Sequence, residues 1–182
     1  MSNEAILWRR LDRPGHEYAR LIEQPNRQLL IGVAVFLHEQ KPCRLQYQIV
    51  CDEQWFTESA HVSGCVGEQV IDVEVLHSSG TWLINGSASP ALAGSTDVDL
   101  NFSPSTNLLP IRRLKLAVGS EAQVKAAWLR FPGFTLEPLQ QSYRRLGDLV
   151  YRYESGGGNF VAELEVNTAG FVTSYPGFCS AE

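Results

Sequence analysis

Apolar and polar residues alternate along most of this chain with a period of two, the mark of a β-strand with one buried face. In "RLQYQIVC" the residues Leu45, Tyr47, Ile49 and Cys51 share one side, with Arg44, Gln46 and Gln48 on the other. "VIDVEVLH" sets Ile71, Val73 and Val75 against Asp72 and Glu74, and "VYRYES" sets Tyr151 and Tyr153 against Arg152 and Glu154. "FVAELEV" alternates Phe160, Ala162, Leu164 and Val166 against Glu163 and Glu165. Glycine-bearing turn signals punctuate these runs at 12–15, 78–80, 85–86, 132–133, 156–158 and 168–170. Short strands joined by short turns read as an antiparallel meander. Roughly a dozen strands in one domain must hide their edges, and curling is the usual solution. The pattern therefore predicts an all-β (or β-rich α+β) domain over residues 1–182. It would be a single curled antiparallel sheet forming a half-barrel or β-roll around an apolar interior, with at most one or two short helices.

Two segments complicate the pattern. "SEAQVKAAWLRFPG" (120–133) carries a capping box, Ser120 with Gln123, and a Glu121/Lys125 pair at helical spacing. It also alternates Val124, Ala126 and Trp128 against Lys125, Ala127 and Leu129, and a strand keeps the meander continuous, so a strand is expected. "TNLLPIRRLKL" can start a short helix capped at Thr106 or Asn107 and lying over the open sheet.

At 182 residues and 44% apolar, the chain can bury one full core. Its 15 Lys+Arg against 20 Asp+Glu give a net charge of −5, without the basic excess expected of a nucleic-acid binder. The longest apolar stretch, "LLIGVAVFL" (29–37), suits a buried strand and is far short of the ~18 residues of a membrane span. The opening "MSNEAILWRR" has neither a basic n-region nor a following apolar h-region, which predicts a cytoplasmic protein. Cys43, Cys51, Cys65 and Cys179 are widely spaced, so reduced thiols are expected. His61-x-x-x-Cys65 lacks the second pair a metal site needs, and no nucleotide fingerprint occurs, so neither metal nor cofactor is expected.

Candidate chemistry concentrates in "TDVDLNFSPSTNLLPIRRL" (96–114). On a strand, Asp97 and Asp99 point to one face, where they can share acid and base roles or accept sugar hydroxyls. Arg112 and Arg113 offer forked donors for a phosphate or carboxylate, and Thr106 and Asn107 add neutral donors and acceptors. The plainer reading of each pair is a solvated surface; what favours a site is that both flank one loop. Trp8, Trp55, Trp82 and Trp128, joined by Tyr47, Tyr143, Tyr151, Tyr153 and Tyr175, can line a ligand cavity or simply fill a core.

The blocks "WRRLDRPGHE" (8–17), "CDEQW" (51–55), "GTWLINGS" (80–87), "TDVDLNFSPSTNLLPIRRL" (96–114), "YRYES" (151–155) and "YPG" (175–177) resemble, in order and across the whole chain, a family of uncharacterised bacterial proteins named for glycolipid binding. The resemblance implies a curled antiparallel sheet similar to the carriers that localise bacterial lipoproteins, with helical segments over an apolar half-barrel. Without an export signal, a periplasmic shuttle role does not carry over. The matching polar positions are Asp97, Asp99, Asn107, Arg112 and Arg113; Trp8, Arg9, Asp12, Glu17, Asp52, Trp55 and Trp82 also match.

The resulting expectation is a small-molecule amphipathic ligand, glycolipid or related, with its acyl chain inward and its head group at the mouth. Asp97, Asp99, Asn107, Arg112, Arg113, Trp55, Trp82 and Tyr153 are the expected binding residues. Two other readings stay open: an enzyme acting on a glycolipid or sugar derivative through Asp97 and Asp99, or a protein-interaction module without ligand. A free sheet edge leaves a homodimer open.

Overall fold

The computed structural model describes residues 3–182. The chain begins with eight strands: β1 (Asn3–Arg10), β2 (Gly15–Gln24), β3 (Arg27–His38), β4 (Lys41–Asp52), β5 (Thr57–Val66), β6 (Gln69–Ser78), β7 (Thr81–Ile84) and β8 (Ser87–Ala88). It then crosses to lay down β9 (Asp97–Leu100) and the helix α1 (Leu108–Leu114). It returns through β10 (Glu121–Arg130), β11 (Thr135–Arg145), β12 (Val150–Ser155), β13 (Phe160–Val166), β14 (Val172–Tyr175) and β15 (Cys179–Ala181).

All fifteen strands form one curled sheet in the order β8-β7-β6-β5-β4-β3-β2-β1-β15-β14-β13-β12-β11-β10-β9. The first and last strands thus meet in its middle, Trp8 opposite Ala181 and Arg10 opposite Cys179. The expected all-β curled sheet is the observed fold. One detail differs from a pure meander: β9 runs parallel to β10, because the chain reaches it by a crossover rather than a hairpin.

The predicted alternation is largely seen, with Leu45, Tyr47, Ile49 and Cys51 all buried on β4. Phe160 departs from it, being 45% exposed at the start of β13. Segment 120–133 forms β10, paired with β11 along its length. Ser79-Gly80 and Asn85-Gly86 both take positive φ, the backbone of tight primed hairpin turns. Glu39-Gln40 does the same at the β3–β4 turn with no glycine, so no sequence signal marked it.

The sheet curls until its β9 edge meets the outer part of β5. Thr57 N–H donates to the Thr96 carbonyl at 3.2 Å, and Val98 N–H donates to Thr57 Oγ1 at 3.1 Å. Lys125 Nζ ties the crossover down by donating to the carbonyls of Ala91 and Ala93 at 3.1 and 2.7 Å.

A short 3-10 turn over Ser105–Asn107 leads into α1. The expected caps serve otherwise: Thr106 Oγ1 accepts from Leu100 N–H, and Asn107 Nδ2 donates to the Pro104 carbonyl. Seven residues are too few for a stable isolated helix. Burial of Leu108, Leu109, Pro110 and Ile111 holds α1 in place. Together with Trp8, Trp82, Tyr143 and Phe171, all fully buried, the helix fills the apolar interior of the roll. Open space remains at one end.

Candidate functional site

That end carries a cavity of about 610 Å³, within the range of small-molecule sites. It opens where the β1–β2 turn, the end of β9 and the β12–β13 and β14–β15 turns converge. Asp99 and Leu100 of β9 and Trp128 of β10 form one wall, with Asp99 opposite Trp128 in register. Tyr153, Phe160 and Tyr175 form the facing wall, their ring centroids 6.0–6.3 Å apart in tilted and edge-on pairs. Phe102, Ser103 and Asn107 come from the segment joining β9 to α1, and Arg10, Asp12, Arg13 and Phe178 complete the lining on the remaining side.

The polar groups are organised in pairs. Gln141 Nε2 donates to Asp99 Oδ2 at 2.6 Å and to Tyr153 Oη at 3.0 Å, so one amide holds both side chains at the cavity. Asp99 Oδ1 accepts no hydrogen bond from the described residues. Burial raises the Asp99 carboxyl to about 6, opposed by the Gln141 hydrogen bond and assisted by the nearby Asp97 charge. Tyr143 Oη donates to Asn107 Oδ1 at 2.9 Å, which fixes the amide at the head of α1.

Arg10 binds Asp12 through two parallel bonds of 2.9 Å and donates to the Phe102 carbonyl at 2.6 Å. Its guanidinium lies 4.6 Å from the Phe36 ring centroid and 4.8 Å from that of Phe178. Arg13 Nε also donates to Asp12, at 2.8 Å. Both arginines therefore share one carboxylate.

Behind Ser103 lies a second polar cluster. Glu17 Oε1 accepts from Tyr47 Oη at 2.7 Å and from Ser103 Oγ through a short bond, and Ser103 and Ser105 share a bond of 2.7 Å. Glu17 Oε2 is buried without a partner among the described residues. Burial raises the Glu17 carboxyl from 4.5 to about 7, against the lowering effects of Ser103, Tyr47 and the Arg10 charge. Gly32 makes this geometry available: a Cβ there would stand 2.3 Å from the Tyr47 ring.

Of the eight binding residues expected from sequence, the fold brings Asp99, Asn107 and Tyr153 to the cavity. It sends the others elsewhere. Both oxygens of Asp97 are occupied, Oδ1 by Arg113 Nε at 3.1 Å and Oδ2 by Arg113 Nη2 and by Thr96 Oγ1 at 2.8 Å. Arg112 binds Glu23, near the end of β2 remote from the β1–β2 turn, and lies 4.8 Å over Trp55. The arginine pair is thus not at the cavity mouth, because α1 starts at the cavity with Asn107 and carries its last turn to the other end of the roll. There the two guanidinium groups anchor the helix. Trp82 is buried, stacked on His77 at 4.2 Å, with Nε1 donating to the Ser95 carbonyl.

Sequence reasoning passed over Arg10, Ser103, Gln141, Phe160 and Phe178, and treated Trp128 and Tyr175 as generic aromatics. Arg10 did carry a signal. It continues the Ile6, Trp8 alternation onto the buried face, where an unpaired arginine would be costly. Ser103 and Phe160 had none, since they matter only through which turns converge.

No group of three or more His, Cys, Asp or Glu that could hold a metal ion occurs among the described residues. Nor is any helix among them long and apolar enough to cross a membrane. The crystal structure of a DUF1089 family protein from Pseudomonas aeruginosa is similar, with a TM-score of 0.77 and 30% identity over 90% of this chain and 91% of that one. No curated protein matches the chain. The model of the family described as "Putative glycolipid-binding" matches residues 5–181, nearly the entire curled sheet and the whole of the cavity lining, and the chain belongs to that family.

Proposed function

We propose that the protein binds an amphipathic, glycolipid-like molecule in the cavity at the end of the roll. The observation that carries this reading is the lining itself. One open-mouthed cavity of about 610 Å³ joins aromatic faces to hydrogen-bonding groups already held in position by Gln141, Tyr143 and Asp12. Groups fixed before the ligand arrives lose little side-chain freedom on binding, so each contact retains more of its value. The family description supports the ligand class. Asp99, Asn107 and Tyr153 are the proposed polar contacts, and Trp128, Phe160 and Tyr175 the aromatic ones. Asp97, Arg112, Arg113, Trp55 and Trp82 support the fold around them.

Native mass spectrometry of gently purified protein, followed by lipid extraction, tests the proposal. A discrete adduct carrying an acyl chain and a sugar is the expected result. Added ligand at about 100 times its Kd should stabilise the fold by roughly 2.7 kcal/mol, a rise in Tm of about 5 °C or more. A clean mass for the protein alone, with no thermal shift across a panel of glycolipids, would overturn the reading.

A further inference from the structure

Which end of an amphipathic ligand enters the cavity can be argued from where its polar groups sit. Ser103, Asn107, Tyr153 and Tyr175 are each less than a tenth exposed, so hydrogen-bonding side chains reach the inner part of the space, beside the buried Leu100 and Phe102. The rim is mixed: Phe160, 45% exposed, the exposed Pro176 and the half-buried Phe178 make one apolar side of it, beside the exposed polar residues Asp12, Asn101 and Asn159. Beyond the cavity, the roll interior holds core side chains and α1. A hydrocarbon pushed inward would also press on Asp99 and strip water from Oδ1 with nothing to replace it, and desolvating a carboxylate unpaired is costly. A hydroxyl donated to the same oxygen restores the lost bond.

The charges of the lining narrow the head group further. They are two arginines and two aspartates, and both arginines are already bound to Asp12. The lining carries no net charge to attract an anion or a cation. What it offers instead is the open Asp99 oxygen, neutral hydroxyl and amide groups, and the ring of Trp128 beside Asp99. Aromatic faces attract the C–H faces of sugar rings, whose hydroxyls remain free to pair at the edges.

We infer that an uncharged sugar head group occupies the inner part of the cavity, held by Asp99 and Tyr153 against Trp128, and that the hydrocarbon leaves through the mouth past Phe160 and Phe178. The inference rests on the cavity being the glycolipid site. It reverses the tail-inward arrangement expected from sequence, and it leaves the tail free to stay in a micelle or bilayer while the head group is bound.

Isothermal titration with hexyl, octyl and decyl glucoside, each below its micellar concentration, tests the orientation. With the tail outside, affinity should change less than about twofold for each added methylene, whereas burial of the tail would raise it about fourfold per methylene. Octyl phosphate and octyltrimethylammonium test the head group, and both should bind at least tenfold more weakly than octyl glucoside. Asp99→Asn and Tyr153→Phe, checked for intact folding by near-ultraviolet circular dichroism, should each weaken octyl glucoside binding, Asp99→Asn by about tenfold. A fourfold rise per methylene with indifference to the head group would overturn the orientation while leaving the cavity as a ligand site. Phosphate or ammonium binding equal to that of glucoside would overturn the neutral-sugar assignment. If no compound in the series binds, the functional reading falls and the inference falls with it.

Discussion

Glu17 sits on β2 in the register that also buries Ala19 and Leu21, so alternation alone puts a carboxyl in the core. Burial favours the protonated form, which raises its pKa from 4.5 to about 7. The sign of the consequence follows from linkage. The native state holds the proton more tightly than the unfolded chain, so this stabilisation is complete below pH 4.5 and is lost as the pH rises through about 7. At about 1.4 kcal/mol per pH unit, the loss is on the order of 3 kcal/mol. Asp99, raised from 3.8 to about 6, adds a loss of the same sign in a slightly lower window. Replacing Glu17 with Gln should leave a neutral acceptor for Tyr47 and Ser103 and remove about half of the combined slope, Asp99 supplying the rest. Urea unfolding at pH 4.5, 6 and 8 measures it, and an undiminished slope in E17Q would show that other groups cause it. At this scale much could be read from the chain: Arg10 and Glu17 are polar residues on apolar registers. The division of labour between Asp97 and Asp99 could not be read. It depends on Arg113, which reaches Asp97 only because α1 ends beside Thr96.

Among the elements, α1 does the most with the fewest residues. Its N-terminal half fills the roll with Leu108 and Leu109, both fully buried, and its last turn anchors on Asp97 and Glu23. Leu109→Ala should therefore cost about 2–5 kcal/mol, as a core cavity does, in chemical denaturation. Because Asn107 stands at the head of the same helix, ligand affinity should fall as well. A loss below about 1 kcal/mol would mean that α1 lies over the sheet without supporting it. The helix was legible in "TNLLPIRRL" from the cap residue types Thr106 and Asn107, though both side chains bond elsewhere; its direction was not, and direction decides which end the arginines reach. Trp55 shows the same limit. It holds a left-handed backbone, φ 72°, in a turn where Asp52 Oδ1 accepts from the N–H groups of Gln54 and Phe56. The sequence "CDEQW" gives no hint that the ring lies beneath Arg112.

Across the whole molecule, the curl is secured where β5 meets the start of β9. Thr57 is almost fully buried there and takes part through both its backbone N–H and its hydroxyl. Thr57→Val keeps the shape but deprives Val98 N–H of its acceptor, which should cost about 1–3 kcal/mol. Hydrogen exchange should report it locally, with the Val98 amide losing protection before those of β3 and β4. Equal protection in the variant would place the closure elsewhere. The curled all-β architecture was visible in the period-two pattern, since strands in such number need their edges hidden. The crossover that makes β9 parallel to β10 was not, because it is a long-range choice with no local signature.

The pairing of β1 with β15 has a consequence for how the molecule comes into being. Of these fifteen strands β1 is synthesised before the others and finds β2 quickly, but its other edge has no partner in the sheet until residues 179–181 appear. Throughout synthesis the strand destined for the centre of the sheet is therefore an edge, open to pairing with a neighbouring nascent chain. Within this sheet the earliest strand is among the last to be completed, so order of synthesis and order of assembly cannot coincide there.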